Sequence, residues 1–182
     1  FLIKGMIAIA LASILIVLYV AFRFRKLDSF SLGLMGLLAL LHDVLVVFAT
    51  FIIFNIPLND AFIAVVLTIL GYSINDTVVI YDRIRENKRL LPQNTPIENI
   101  VNLSINQSFT RSINTTVSTL IAIFMILIFS IIYGIDSITY FALPMFIGVI
   151  SGCYSTICIA GPTWVLWEKH KMKKNAALMK KA

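Results

Sequence analysis

Long apolar blocks alternate with short polar stretches along this chain. The blocks cover about 1–22, 29–54, 60–81, 110–132 and 138–167. Each reaches the roughly 20 apolar residues that a helix needs to cross a hydrocarbon core of ~30 Å. In such a solvent every backbone N–H and C=O must be satisfied within the segment, so the blocks are predicted to be helices. Three of the four connectors are short, which makes the helices they join antiparallel neighbours. The fourth, 82–109, is long and polar. Its run Pro92-Gln93-Asn94-Thr95-Pro96 breaks a helix, and Asn94 or Thr95 is placed to cap a short amphipathic helix carrying Ile97, Ile100, Val101 and Ile105. That helix is expected to lie on the cytoplasmic surface of the membrane. The predicted fold is all-α: a polytopic bundle of about five spans over 1–168, then a basic tail over 169–182.

Composition excludes the soluble alternative. Hydrophobic residues make up 59% of the chain and charged residues 13%, with a mean hydropathy of +0.94. Ordinary globular domains hold ~45–50% and ~25%. Charge then orients the bundle. Arg23, Arg25 and Lys26 follow the first span, and Arg83, Arg85, Lys88 and Arg89 follow the third. Lys169, Lys171, Lys173, Lys174, Lys180 and Lys181 follow the last. The second and fourth connectors hold no Lys or Arg. Basic residues collect on the cytoplasmic side, so the first and third connectors and the C-terminus are expected there, with Lys4 and Arg111 as the exceptions. The net charge of +6 is thereby explained by topology and anionic lipid, not by nucleic acid. Cys153 and Cys158 lie five apart in one apolar block and are read as small hydrophobic side chains, with no disulfide or metal role. Phe1 is not an initiator methionine, and no small-residue cleavage site follows the first block, so the chain is expected to be a piece of a longer protein.

Ionisable groups at membrane depth are costly, so function is sought there. In the third block Thr68, Tyr72, Asn75 and Asp76 are spaced to share one helix face, which is expected to point into the bundle or a wet cavity. The competing reading is an acid reaching from a helix end to the interface. The fourth block opens with Arg111, Asn114, Thr115 and Ser118 on one face. Arg111 and Asp76 fall at similar depth, and a pair between them on facing helices would lower the cost of both charges. Read alone, Arg111 is an interface residue and the hydroxyls are helix-packing groups. The second block carries His42 and Asp43 at its centre. Adjacent helical residues point ~100° apart, so the two are not expected to pair with each other. Asp43 is either a hydrogen-bond anchor to a neighbouring helix or part of a proton relay. Gly36 and Ala39 share its face and allow close packing. The last block, with Pro144, Gly148, Gly152 and Pro162, reads as a packing or hinge helix without ionisable chemistry. There is no nucleotide-binding glycine loop, HExxH or CxxC, so the chain is not expected to be an enzyme or to hold a cofactor or metal. A buried acid beside a base fits a proton gradient as the energy source.

These residues also carry a family resemblance. The run Gly71-Tyr72-Ser73-Ile74-Asn75-Asp76-Thr77, within a similar stretch over 65–87, resembles the SecF family. Leu40-Leu41-His42-Asp43-Val44 and Ser108-Phe109-Thr110-Arg111-Ser112-Ile113-Asn114-Thr115 look like that family's signatures in the neighbouring spans, and Tyr19–Arg23 fits as well. The resemblance covers roughly 1–168. It implies a transmembrane fold related to the resistance-nodulation-division exporters, and a role in the SecDF accessory translocon. SecDF assists polypeptide export through SecYEG using proton flow. It also implies location in the bacterial cytoplasmic membrane, with SecD, SecYEG and YajC as partners. Proton coupling maps onto Asp76 and Arg111, with a partnering carboxylate in SecD; Asp43 is the third candidate. His42, Thr68, Tyr72, Asn75, Asn114, Thr115 and Ser118 are supporting polar residues. The family's first span and extracytoplasmic domain have no counterpart here, so the chain resembles SecF from its second span onward, or the end of a fused SecD–SecF polypeptide. Two rivals remain: an assembly module whose polar stripes only fix packing, and a segment of another exporter of the wider superfamily.

Overall fold

A computed structural model describes residues 2–23, 29–92 and 94–179. Arg25, Lys26, Gln93, Lys180 and Lys181, which entered the orientation and breaker arguments, lie outside the described residues. The elements are α1 (Leu2–Arg23), α2 (Ser29–Ile53), α3 (Asp60–Leu90), α4 (Ile97–Ile132), α5 (Asp136–Ser155) and α6 (Gly161–Met179). A five-residue π-turn, Thr156–Ala160, joins α5 to α6. Among the described residues there is no strand, and five helical stretches are long and apolar enough to cross a membrane.

Three boundaries differ from expectation. The third span does not stop at 81, because α3 runs on to Leu90 and carries the basic cluster on its last turns. Nor is there a separate surface helix. Ile97, Ile100, Val101 and Ile105 belong to the first turns of a 36-residue α4. No Gly or Pro interrupts 97–132, so nothing ends the helix between the surface segment and the membrane. At ~1.5 Å per residue α4 is about 54 Å long and must extend well beyond a ~30 Å core. Neither Asn94 nor Thr95 caps it; the capping position is Pro96, with no side-chain bond. The side-chain cap falls on α3, where Asn59 Oδ1 accepts from the Ala61 N–H at 3.0 Å. Finally, the last span starts at Asp136 and continues as α6 through most of the basic tail. The π-turn lies directly upstream of Pro162. A proline ring meets the carbonyl four residues back, and a widened turn relieves that clash without ending the helix.

Two apolar clusters hold the bundle. One joins Leu40, Val47 and Phe51 of α2 to Val65, Ile69 and Leu70 of α3, Ile123 of α4 and Val149 of α5. The other gathers Val20, Leu32, Ile80, Ile84, Val101 and Trp164 near the opposite end. Helix α5 packs against α2, α3 and α4. Its approach depends on Gly148, where an added Cβ would lie 2.9 Å from both Ile69 and Val47. By contrast α1 is peripheral, with most of its side chains turned outward.

Candidate functional site

Helix α3 carries two polar ladders, set one residue out of step. Ser73, Thr77 and Tyr81 recur at intervals of four and face α2 and the α5–π-turn segment; all three are buried. Thr77 Oγ1 lies 3.1 Å from Thr156 Oγ1, and the Tyr81 hydroxyl donates to the Leu32 carbonyl at 3.2 Å. Tyr72 and Asp76 face α4 instead. There the antiparallel stripe Ser104, Ser108, Ser112 and Thr116, also spaced by four, is buried along the seam.

The first ladder ends at Asp43, which is 0% exposed at the centre of the bundle. Its Oδ2 accepts from Ser73 Oγ and Ser155 Oγ, each at 2.8 Å. Its Oδ1 accepts from Ser151 Oγ at 2.8 Å. Contrary to expectation, His42 also reaches its neighbour: Nδ1 lies 3.3 Å from Asp43 Oδ1. Divergence of adjacent Cβ vectors does not prevent this, because the imidazole and carboxylate extend far enough beyond Cβ to meet. His42 Nε2 lies 2.8 Å from the Tyr154 hydroxyl. A proton assigned to Nδ1 satisfies both contacts, with the phenol donating to Nε2. Gly152 keeps α5 close enough for this cage, since a Cβ there would lie 3.4 Å from Ser73 Cβ and 3.7 Å from Asp43 Oδ2. The last span therefore does take part in polar chemistry. The signal for it was the Ser151–Ser155 pair, i and i+4, beside the Gly148–Gly152 pair.

The second ladder holds Asp76, which is half-buried. Its Oδ1 accepts from Ser112 Oγ at 2.7 Å. Its Oδ2 is buried with no hydrogen-bond partner among the described residues. One turn away the Tyr72 hydroxyl donates to Thr116 Oγ1 at 3.1 Å. The expected Asp76–Arg111 pair is absent among the described residues, and Arg111 is exposed. Successive helical residues differ by ~100°, so the seam that admits Ser112 turns Arg111 to its flank.

The expected stripes also separate. Tyr72 joins the seam, but Thr68, Asn75, Asn114, Thr115 and Ser118 are exposed on the outside of this chain, not inside the bundle. The hydroxyls of Thr68 and Ser118 return to their own helix, to the carbonyls of Ala64 and Asn114. The residues that line the seam are Ser104, Ser108, Ser112 and Thr116, whose four-residue repeat was legible but masked by the polar residues that directly precede three of them, Gln107, Arg111 and Thr115. Among the described residues no cluster of His, Cys, Asp or Glu could hold a metal ion, and Cys153 and Cys158 are free.

Comparison with known proteins gives this geometry a family. The model of the family described as protein export membrane protein SecD/SecF, C-terminal, matches residues 1–170. The chain is 42% identical over 173 residues to a protein translocase subunit SecF from Alicyclobacillus acidocaldarius, covering 94% of this chain and 54% of that protein. It is 38% identical over 176 residues to a protein translocase subunit SecDF from Bacillus subtilis, covering 96% of this chain and 23% of that protein. A crystal structure of SecDF in a super-membrane-facing form superposes with a TM-score of 0.80 at 38% identity, over 91% of this chain and 21% of that one. The chain thus spans about half the length of the SecF relative and under a quarter of the SecDF one. With its apolar helices and the two hydroxyl-bound aspartates they carry, this multi-pass membrane protein belongs to the SecD/SecF family of protein-export membrane proteins.

Proposed function

We propose that this chain is the membrane-embedded part of a SecF-type subunit that assists Sec-dependent polypeptide export across the bacterial cytoplasmic membrane, driven by the proton gradient. Asp76 is the proton-carrying group. The observation that carries this is its asymmetry: one oxygen is bound by Ser112, and the other is buried without a partner among the described residues. An acid meant only to anchor a helix would use both oxygens, as Asp43 does. A half-satisfied carboxylate is poised to take a proton or a new partner.

Arg111 is that partner in a second arrangement. A turn of the first part of α4 would exchange Ser112 for Arg111 beside an ionised Asp76, and protonation would release it. Two packings of one helix pair provide the two-state element that coupling needs. SecD is the proposed neighbour across the outward polar stripe of Thr68, Asn75, Asn114, Thr115 and Ser118, because such groups are too costly to leave against lipid. SecYEG and YajC are proposed as further partners, and the exported chain would be handled by extracytoplasmic parts of the longer protein. The basic ends of α3 and α6 support a cytoplasmic C-terminus as part of this reading. The subunit works by moving a proton and helices, without covalent catalysis or a bound cofactor. Asp43 serves as a positioning group that ties α2, α3 and α5 together, which favours a share of the assembly reading for that residue alone.

The test is Asp76→Asn in the intact SecD–SecF complex, assayed for export with and without a proton gradient. The expected result is complex recovery at wild-type yield with export indifferent to the gradient. Full gradient dependence in the variant discards the proposal; loss of the complex itself favours the assembly module.

A further inference from the structure

A cleft of about 560 Å³ opens between the end of α1, the last turns of α3 and the middle of α4. Its walls carry five guanidinium groups, those of Arg23, Arg83, Arg85, Arg89 and Arg111. Among the described residues only two carboxylates stand with them, Asp82 and Glu86. Asp82 is committed to Arg23 at 3.1 Å and Arg85 at 2.7 Å. Glu86 is committed to Arg83 at 2.5 Å, and Arg83 Nε also donates to Gln107 at 2.7 Å. Arg89 and Arg111 form no ion pair among the described residues. Two planar donor forks therefore share a cavity whose acids, among the described residues, are already engaged.

The cavity is placed where the first and third spans end, and Val79 and Leu90 add apolar wall beside the guanidinium groups. A ligand suited to this lining is anionic and compact, and it offers several oxygens in a plane or tripod to a guanidinium fork. We infer that the cleft binds a phosphate oxyanion between Arg89 and Arg111, carried either by an anionic phospholipid headgroup or by free inorganic phosphate. Headgroup phosphates lie at this level of a bilayer, and a polybasic surface there concentrates anionic lipid. Arg111 directly precedes Ser112, the donor to Asp76. A bound phosphate holds Arg111 in the cleft and leaves Ser112 on the carboxylate. Binding requires nothing of the proton-coupling reading; the hold on Arg111 rests on it.

The test uses the full-length subunit in its complex, stripped of lipid in a neutral detergent. The probes are dihexanoyl phosphatidylglycerol, dihexanoyl phosphatidylcholine and inorganic phosphate, and the readout is the thermal midpoint against probe concentration. Phosphatidylglycerol is expected to raise the midpoint saturably and phosphatidylcholine is not. An equal response to inorganic phosphate assigns the site to the free anion, and a response to the lipid alone assigns it to a headgroup. Arg89→Gln, at an exposed position, is expected to weaken the response about tenfold. Glu86→Gln releases Arg83 from its carboxylate and is expected to strengthen it about threefold. Absence of a response to both anionic probes, or a response that neither variant alters, overturns the inference. So does an equal response to phosphatidylcholine. If gradient-dependent export is lost in Asp76→Asn while binding persists, the two proposals are separated.

Discussion

Ser112 donates a 2.7 Å hydrogen bond to Asp76 across the α3–α4 seam, and the guanidinium one residue before it does not. Under the proposed function, this choice of neighbour leaves the seam free to switch instead of locking it in a fixed ion pair.

Ser112→Ala removes the donor and leaves a half-buried carboxylate with no partner on either oxygen. A hydroxyl bond in a membrane bundle contributes on average ~0.6 kcal/mol, and one to a charged group more. We expect a loss of about 1–2 kcal/mol, read as a fall of a few degrees in the thermal midpoint of the purified complex. Asp76→Asn keeps an acceptor for Ser112 and should show no comparable fall.

Asp43→Ala strands the hydroxyls of Ser73, Ser151 and Ser155 in a dry core and leaves a cavity. The expected cost is roughly 3–5 kcal/mol, enough to prevent accumulation of folded protein. Asp43→Asn retains the shape, and the serine hydroxyls can rotate to accept from the amide, so a smaller loss of about 1–3 kcal/mol is expected. Monodisperse yield on size exclusion ranks the two; equal yields from both would show that the cage is not what holds α5.

Gly148→Ala drives a methyl to 2.9 Å from Ile69 and Val47 and should cost about 1–3 kcal/mol through overpacking. Gly71→Ala, in the same bundle, meets nothing within 4 Å. It should be neutral, or favourable by up to ~1 kcal/mol through helix propensity. Thermal unfolding of the pair checks the packing of α5 independently of any transport assay.

Asn87 is buried at the extended end of α3, where its amide donates to Ser104 and Gln107, each at 2.8 Å. Asn87→Ala removes both bonds and should cost about 1–3 kcal/mol. The loss should appear as faster amide exchange at the ends of α3 and α4, with the centre of the membrane bundle unchanged. Uniformly faster exchange would contradict a local role.

Helix number, membrane class and the candidate acids were all legible in the linear order of residues. The signals behind them are local: apolar run length, charge at the loop positions, and isolated Asp or Arg where neither is tolerated without reason. The continuity of α4 was legible too, in a 36-residue stretch free of Gly and Pro, though two prolines upstream drew the reading toward a separate surface helix.

Which face of a polar helix turns inward depends on its neighbours, and only the tertiary structure decided it. α3 and α4 have hydroxyl or amide groups on more than one side. Periodicity alone therefore fits the outward stripe of Asn114, Thr115 and Ser118 as well as the seam of Ser108, Ser112 and Thr116. Glycines at 148 and 152 let α5 approach closely enough for Ser151 and Ser155 to reach Asp43, a contact spanning more than a hundred residues of chain. A one-dimensional pattern records that a costly group is present. The group that satisfies it is settled by distances of a few ångströms between helices, and these exist only once the bundle has packed.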